Sequence, residues 1–317
     1  MKVNTDILKT PRFNKWSPRT RRNFKWGMTF ISLWLVGFLV FNLYPMLMSI
    51  YISLHEYHVK LPSTWIGIAN YTRMFQDPLV VKSLWNTVYM VIFQVSISLF
   101  LSFLCAVLLN LKIKGQSVFR VLYFLPSIVP TVASTILFIW ILNPNVGILN
   151  NFLQSLGIPG PDWFNDPLWA KPALIMLGLW GMGQSIMIYL SGLQDVPTSY
   201  IEAAEIDGAS WFQRLRYITI PMVSPLTMFM LIIGVIGMFQ YFAQAYIFAS
   251  AGSQTGSTIL GKPLYSTLFF SVYLYYMGFQ KWELGYASAL AWVLFIIIMV
   301  CTLLMLRWSK KWTYYSG

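Results

Sequence analysis

Asp, Glu, Lys and Arg are absent from residues 27–54, 83–111, 172–194 and 284–306 of this 317-residue chain. Each run exceeds the roughly 20 residues a helix needs to cross about 30 Å of hydrocarbon. Lipid offers no water to backbone N–H and C=O groups, so only helices and closed barrels span it. Barrel strands would come as segments of about 10 residues with alternating polarity, which disfavours strands here. Two longer charge-free gaps, 121–161 and 217–261, are trimmed by their polar ends. Asn143-Pro144-Asn145 closes one helix near 120–142, and the Ser/Gly/Gln stretch from Ser250 closes another near 221–249. The chain therefore reads as all-α and polytopic, with six spans at about 27–54, 83–111, 120–142, 172–194, 221–249 and 284–306. Charged residues are 10% of the chain and mean hydropathy is +0.61. A soluble domain carries about 25% charge, so a water-soluble globule is excluded.

Lys and Arg placement sets the sidedness. Sixteen of the 22 basic residues fall in the 1–26 tail, the 112–120 loop, the 195–220 loop and the 307–317 end. The three alternate loops hold the other six, so both termini are expected in the cytoplasm, which agrees with an even number of spans. The net charge of +12 is then topology and contact with anionic lipid rather than nucleic-acid binding. Trp16, Trp26, Trp65, Trp163, Trp308 and Trp312 fall near the expected interfaces, as an aromatic belt would. The external 143–171 loop, rich in Asn, Pro, Gly and Trp, is expected to form a short ordered cap.

One inside loop departs from the pattern. Segment 195–220 carries Asp195, Glu202, Glu205 and Asp207 against Arg214 and Arg216. Ser199-x-x-Glu202 reads as a capping box and Ala203-Ala204 favours helix with little bulk. Asp207-Gly208 ends that helix, because glycine accepts the positive φ common after a helix terminus. Ser210-x-x-Gln213 is a second capping box, opening a helix through Tyr217, and Pro221 marks the start of the next span. Surface helices on anionic lipid usually present a basic face. An acidic, compact helix pair instead suits a basic socket on another protein.

Glu202-Ala203-Ala204, three residues, Gly208, nine residues and Ile218-Thr219-Ile220-Pro221 resemble the EAA loop of binding-protein-dependent ABC importer permeases. The family pattern is E-A-A-x3-G-x9-I-x-L-P, and only Ile220, in place of Leu, departs from it. Asn86-Thr87, Arg120 with Leu125-Pro126 and Pro130, Gly147-x-x-Asn150 and Val196-Pro197 further resemble the carbohydrate, maltose-like branch. The similarity covers roughly residues 30–315. It implies a sugar permease of the bacterial cytoplasmic membrane, expected to carry a di- or oligosaccharide. It also implies a homologous second permease subunit, two cytoplasmic ATPase subunits and an extracellular solute-binding protein as partners. The loop would be a coupling helix seated in the ATPase, with Glu202 pairing a basic side chain and Gly208 permitting the turn.

Other chemistry is sparse. Residues 256–263 imitate a phosphate loop, but Pro263 stands where a magnesium-binding Ser or Thr is needed and no strand precedes it. No cofactor is expected on this chain, and ATP and magnesium would be used by the partner ATPase. Gly181-Met182-Gly183 lacks the third glycine of a dinucleotide fingerprint. His55 and His58 around Glu56 read as a solvated cluster rather than a metal site, and Cys105 and Cys301 as packing residues. Asn70-Tyr71-Thr72 reads as an accidental glycosylation triplet. No ionisable acid or base falls at hydrocarbon depth, where ion-coupled carriers usually place one.

A sugar path needs hydroxyl partners and aromatic faces near the midplane. Trp180, Gly181 and Gln184 supply these at the centre of 172–194. Gly234, Gly237, Tyr241 and Gln244 would share one face of a helix over 221–249, with Met238 beside it. The alternative for the same residues is small-residue packing with polar glue. The alternative function is a six-span secondary carrier or channel for a small polar solute. A membrane-embedded enzyme is a third reading, but it would need an interfacial cluster of acids or His that this chain lacks. Pro45, Pro126 and Pro130 lie inside spans, where each removes a helix hydrogen bond and marks a candidate bend.

Overall fold

A computed structural model describes residues 17–58, 62–111, 114–251, 261 and 263–313. Most of the phosphate-loop imitation at 256–263, and Trp16, lie outside the described residues. The chain divides into two compact units, residues 1–51 and 52–317.

In the first unit, α1 (Pro18–Phe38) opens with Ser17 as its cap, the Ser17 hydroxyl accepting from the Thr20 N–H. A π-helical turn, Leu39–Leu43, leads into α2 (Tyr44–Ser53) two residues before Pro45. The proline ring would clash with the carbonyl four residues back, and the wider π turn relieves that clash. The helix thus starts inside the basic tail rather than at residue 27. From Gly27 onward it is apolar on all sides, which suits a lipid environment.

The second unit begins with a two-stranded hairpin, β1 (His55–Glu56) and β2 (Thr64–Trp65), paired antiparallel. This is a small departure from the all-α reading. Helix α3 (Ala69–Gln76) follows, then α4 (Pro78–Asn110), capped by Asp77, whose carboxyl accepts from the Leu79 N–H at 2.9 Å. The expected third span is two helices, α5 (Gln116–Ile128) and α6 (Thr131–Ile141), bent by 99°. Val129 is extended because the residue before a proline is pushed out of the α region, and Pro130 restarts the chain. After α7 (Ile148–Ser155), the expected fourth span is likewise two helices, α8 (Pro167–Trp180) and α9 (Gly183–Gln194), bent by 50°.

Next come α10 (Thr198–Ile206), α11 (Trp211–Arg214), a π turn (Leu215–Thr219) and α12 (Ile220–Phe239). Helix α13 (Ala243–Ala251) is separate, α14 (Phe270–Tyr275) runs into a π turn (Tyr276–Gln280), and α15 (Leu284–Ser309) closes the fold. Among the described residues, four helices are long and apolar enough to cross a membrane alone. Counting each bent pair as one span brings the number to six.

Two apolar cores organise this unit. The larger gathers Met90, Leu174, Phe269, Phe270 and Leu290, and the smaller gathers Ala106, Ile186, Tyr189, Leu190 and Val223. Cys301 and Cys105 are half-buried against them. The 143–166 segment is ordered around Asn150, which donates to the Pro144 and Pro161 carbonyls and accepts from Trp163 Nε1 at 2.8 Å. Trp163 is therefore a buried core residue and not part of an interfacial belt, while Trp26, Trp65, Trp308 and Trp312 are exposed. Asn86 and Thr87 also fasten structure: Asn86 donates to the Tyr265 and Leu268 carbonyls, and Thr87 accepts from the Phe270 N–H.

Candidate functional site

The 195–220 loop is a helix-turn-helix built from local chemistry. Helix α10 starts directly after Pro197, which places Ser199 inside the first turn, so the expected Ser199–Glu202 capping box does not form. Its other end closes as expected. The Ala209 N–H donates to the Ala204 carbonyl at 2.9 Å and the Gly208 N–H to the Glu205 carbonyl at 3.0 Å, the paired bonds of a Schellman motif. Gly208 has φ +79°, and a Cβ there would meet nothing within 4 Å. The backbone's handedness, rather than lack of space, demands glycine at this position.

Ser210 then forms the expected capping box. Its N–H donates to Gln213 Oε1 at 2.7 Å, and its hydroxyl accepts from the Gln213 N–H. An ion pair between Glu205 and Arg214, which sequence reading missed, ties the two short helices together. Glu202, Ala203, Asp207 and Gly208 are exposed, and Ala204 is half-buried. Ile201, Leu215 and Ile218 pack on the smaller core. A cavity of about 450 Å³ under α10 is lined by Glu202, Glu205, Arg214 and Asn110 at the end of α4. Pro221 does not separate loop from span, because Trp211–Phe239 is one continuous 29-residue helix with its π turn just before that proline.

The seven expected path residues divide. Gln184, Gly234 and Met238 line a cavity of about 260 Å³ between α4, α9 and α12. Trp180, Gly181 and Gln244 line another of about 220 Å³ with Ser127 and Ser134. Tyr241 lines neither, its ring meeting Phe269 edge-on at 5.5 Å. The four-residue stripe Gly234, Gly237, Tyr241 and Gln244 does not exist as one helical face. Gln240 and Tyr241 donate to the carbonyls three residues back, Gly237 and Met238, which tightens and ends α12. Helix α13 then redirects Gln244 towards α6 and α8. The α8–α9 break lies beside the second cavity, with Gly181 closing α8. A Cβ on Gly183 would overlap the backbone of Tyr123 and Phe124, so the start of α9 sits against α5 by virtue of that glycine. Gln94 and Ser98, in the first cavity, went unnoticed in the sequence; a Gln in the middle of a charge-free run was the available signal.

A polar cluster at the start of α4 also escaped sequence reading. Asp77 accepts hydrogen bonds from the Tyr273 and Tyr286 hydroxyls, the latter at 3.0 Å. Arg73 pairs with Glu283 at 2.6 Å and stacks 4.3 Å from the centre of the Tyr286 ring. Burial works against the Arg73 charge, but the hydrogen bond and charge of Glu283 outweigh it and raise its pKa. Burial, then the bond to Asp77, holds the Tyr273 phenol above its ordinary range. Asn70 is buried and donates to the Ser53 and His55 carbonyls, which accounts for it as a structural residue. His58 approaches Glu56 at 3.7 Å, and no metal-binding cluster is present among the described residues.

Comparison with known proteins agrees with this arrangement. A probable ABC transporter permease of Bacillus subtilis (strain 168) is 36% identical over 294 residues, covering 92% of each chain. The lactose transport system permease of Rhizobium radiobacter is 32% identical over 90% of this chain and 94% of its own. The arabinooligosaccharides permease of B. subtilis is 31% identical over 88% and 87%. In fold, the chain is similar to the crystal structure of a bacterial ABC transporter that imports the acidic polysaccharide alginate. The TM-score is 0.79 at 21% identity, over 93% of this chain and 100% of that one. Family membership displaces the secondary-carrier reading: the chain is a transport subunit and not itself an enzyme. Residues 98–312 match the family described as the binding-protein-dependent transport system inner membrane component, and the chain belongs to that family.

Proposed function

We propose that this chain is the sugar-translocating permease of an ATP-driven importer in the bacterial cytoplasmic membrane, with segments 1–26 and 307–317 in the cytoplasm. Its substrate is a di- or oligosaccharide handed over by an extracellular solute-binding protein. It works beside a homologous permease and two cytoplasmic ATPase subunits, which use the ATP and magnesium. The names of the lactose and arabinooligosaccharides relatives support the sugar class, and the absence of charge from the linings of the cavities of about 260 and 220 Å³ supports a neutral solute.

The observation that carries this reading is the 195–220 loop. Glu202, Ala203, Ala204, Asp207 and Gly208 form a largely exposed knob, locked at both ends of its turn and followed, from Trp211, by the helix that continues through Pro221 into α12. A motor that grips such a knob moves the span with it, and a partly desolvated carboxylate–guanidinium contact gives register. The spans then alternate access around the cavities holding Trp180, Gly181 and Gln244 on one side and Gln184, Gly234 and Met238 on the other.

The test is Gly208→Asp in the complete complex reconstituted in proteoliposomes. Insertion is expected to be normal, while sugar uptake falls about tenfold or more, the cost of losing a contact worth a few kcal/mol. Substrate-stimulated ATP hydrolysis at the wild-type level in this variant would refute the coupling role.

A further inference from the structure

We propose that Gln94, on α4, contacts the transported sugar directly and forms the septum between the two path cavities, which its side chain joins when it rotates. The inference rests on the sugar-import reading and adds a residue of a different helix to it. Gln94 is 5% exposed, and its Oε1 has no hydrogen-bond partner. A buried acceptor left unpaired is unfavourable and uncommon. An amide held in that condition beside a cavity is a binding group waiting for a donor.

Its position accounts for which donor. On one side Gln94 lines the cavity of about 260 Å³ with Ser98, Gln184 and Ser185. On the other its amide presses on Gly178, where a Cβ would overlap it. Gly178 itself lines the cavity of about 220 Å³ with Trp180 and Gln244. The amide therefore lines the first space and lies against the glycine that lines the second. Each space is smaller than the roughly 300–1,000 Å³ of ordinary ligand sites, and joined they reach that range. Neither lining contains Asp, Glu, Lys or Arg, which disfavours an ionic ligand. A sugar hydroxyl both donates and accepts, so it satisfies the amide whichever way its oxygen and nitrogen point.

The experiment uses the whole complex in proteoliposomes and a panel of radiolabelled neutral di- and oligosaccharides. For a sugar that the wild-type complex takes up, its monodeoxy derivatives are then compared in wild type and Gln94→Met, which keeps the length and removes the amide. A site built to bind a hydroxyl rejects the analogue that lacks it. Wild type is expected to discriminate against one deoxy derivative by about tenfold in KM, and Gln94→Met to lose that discrimination.

Unchanged discrimination in Gln94→Met overturns the role of Gln94 and leaves the import reading standing. Uptake of no sugar by wild type overturns both. Should Gln94→Met fail to insert, Gln94→Cys in a Cys105→Ser/Cys301→Ser background is labelled with a small methanethiosulfonate. Saturating sugar is expected to slow labelling about tenfold, as occupancy of the site requires, and an unchanged labelling rate overturns the proposal.

Discussion

The two ends of α4 are held by opposite means. At its start, Asp77 gathers the hydroxyls of Tyr273 and Tyr286, and Arg73 bridges to Glu283. At its far end, about 50 Å away along a 33-residue helix, Val107 and Asn110 border the cavity under the exposed α10 knob. The first end is a partly buried network, anchored on the buried Tyr273 and Tyr286, whose members come from distant parts of the chain. The second is a surface motif whose bonds nearly all join residues three to nine positions apart. The contrast separates two jobs. A partly buried network fixes helices to each other, and a locally self-sufficient knob would keep its shape under the pull of the proposed ATPase partner.

The largest expected effect falls on the buried end. Asp77→Ala removes the α4 cap and leaves two buried hydroxyls without their acceptor, a loss of about 3 kcal/mol. Thermal unfolding in detergent should fall clearly, while ATP hydrolysis per folded complex remains substrate-stimulated. Equal damage to coupling and stability would break the proposed division of labour.

A smaller effect is expected at the knob. Ser210→Ala removes one cap, worth about 1 kcal/mol, and should lower the ratio of sugar transported to ATP hydrolysed with little change in unfolding temperature. A fall in unfolding temperature as large as that of Asp77→Ala would show that the knob is part of the structural frame.

The smallest effect is a pH dependence. Burial and Asp77 raise the Tyr273 pKa above its ordinary 10.0, so unfolded tyrosine ionises first. The stability Tyr273 contributes is fully present below about pH 10 and is lost as pH climbs through its higher folded value. Arg73, raised as well, acts in the same direction at still higher pH. Unfolding temperature should therefore decline above about pH 10, and Tyr273→Phe should soften that decline. A decline already evident between pH 7 and 9 would point to other groups.

Legibility followed the same contrast. Gly208 and the Ser210–Gln213 box were readable because a turn needing positive φ and a helix start needing a side-chain acceptor are short-range requirements. Ser199 misled because Pro197 already supplied a helix start two residues earlier. Pro126, Pro130, Gly181 and Gly183 announced weak points in their spans. Whether a weak point bends by 99°, by 50° or not at all depends on what packs against it, as Tyr123 and Phe124 pack on Gly183. Tyr241 was placed with Gln244 by helical periodicity, which holds only while the helix continues, and α12 ends at Phe239.

Run length settled the helical membrane class, and basic-residue placement and capping chemistry supplied an expected topology and the turn chemistry of the 195–220 loop, since each depends on neighbours within a turn or on total apolar length. Which polar groups meet inside was decided by the folded arrangement. Gln94 against Gly178, Asp77 beneath two tyrosines, and Gln184 apart from Gln244 all depend on how helices cross and where they break. Those angles come from side-chain packing between segments distant in the chain, and local periodicity carries no record of it.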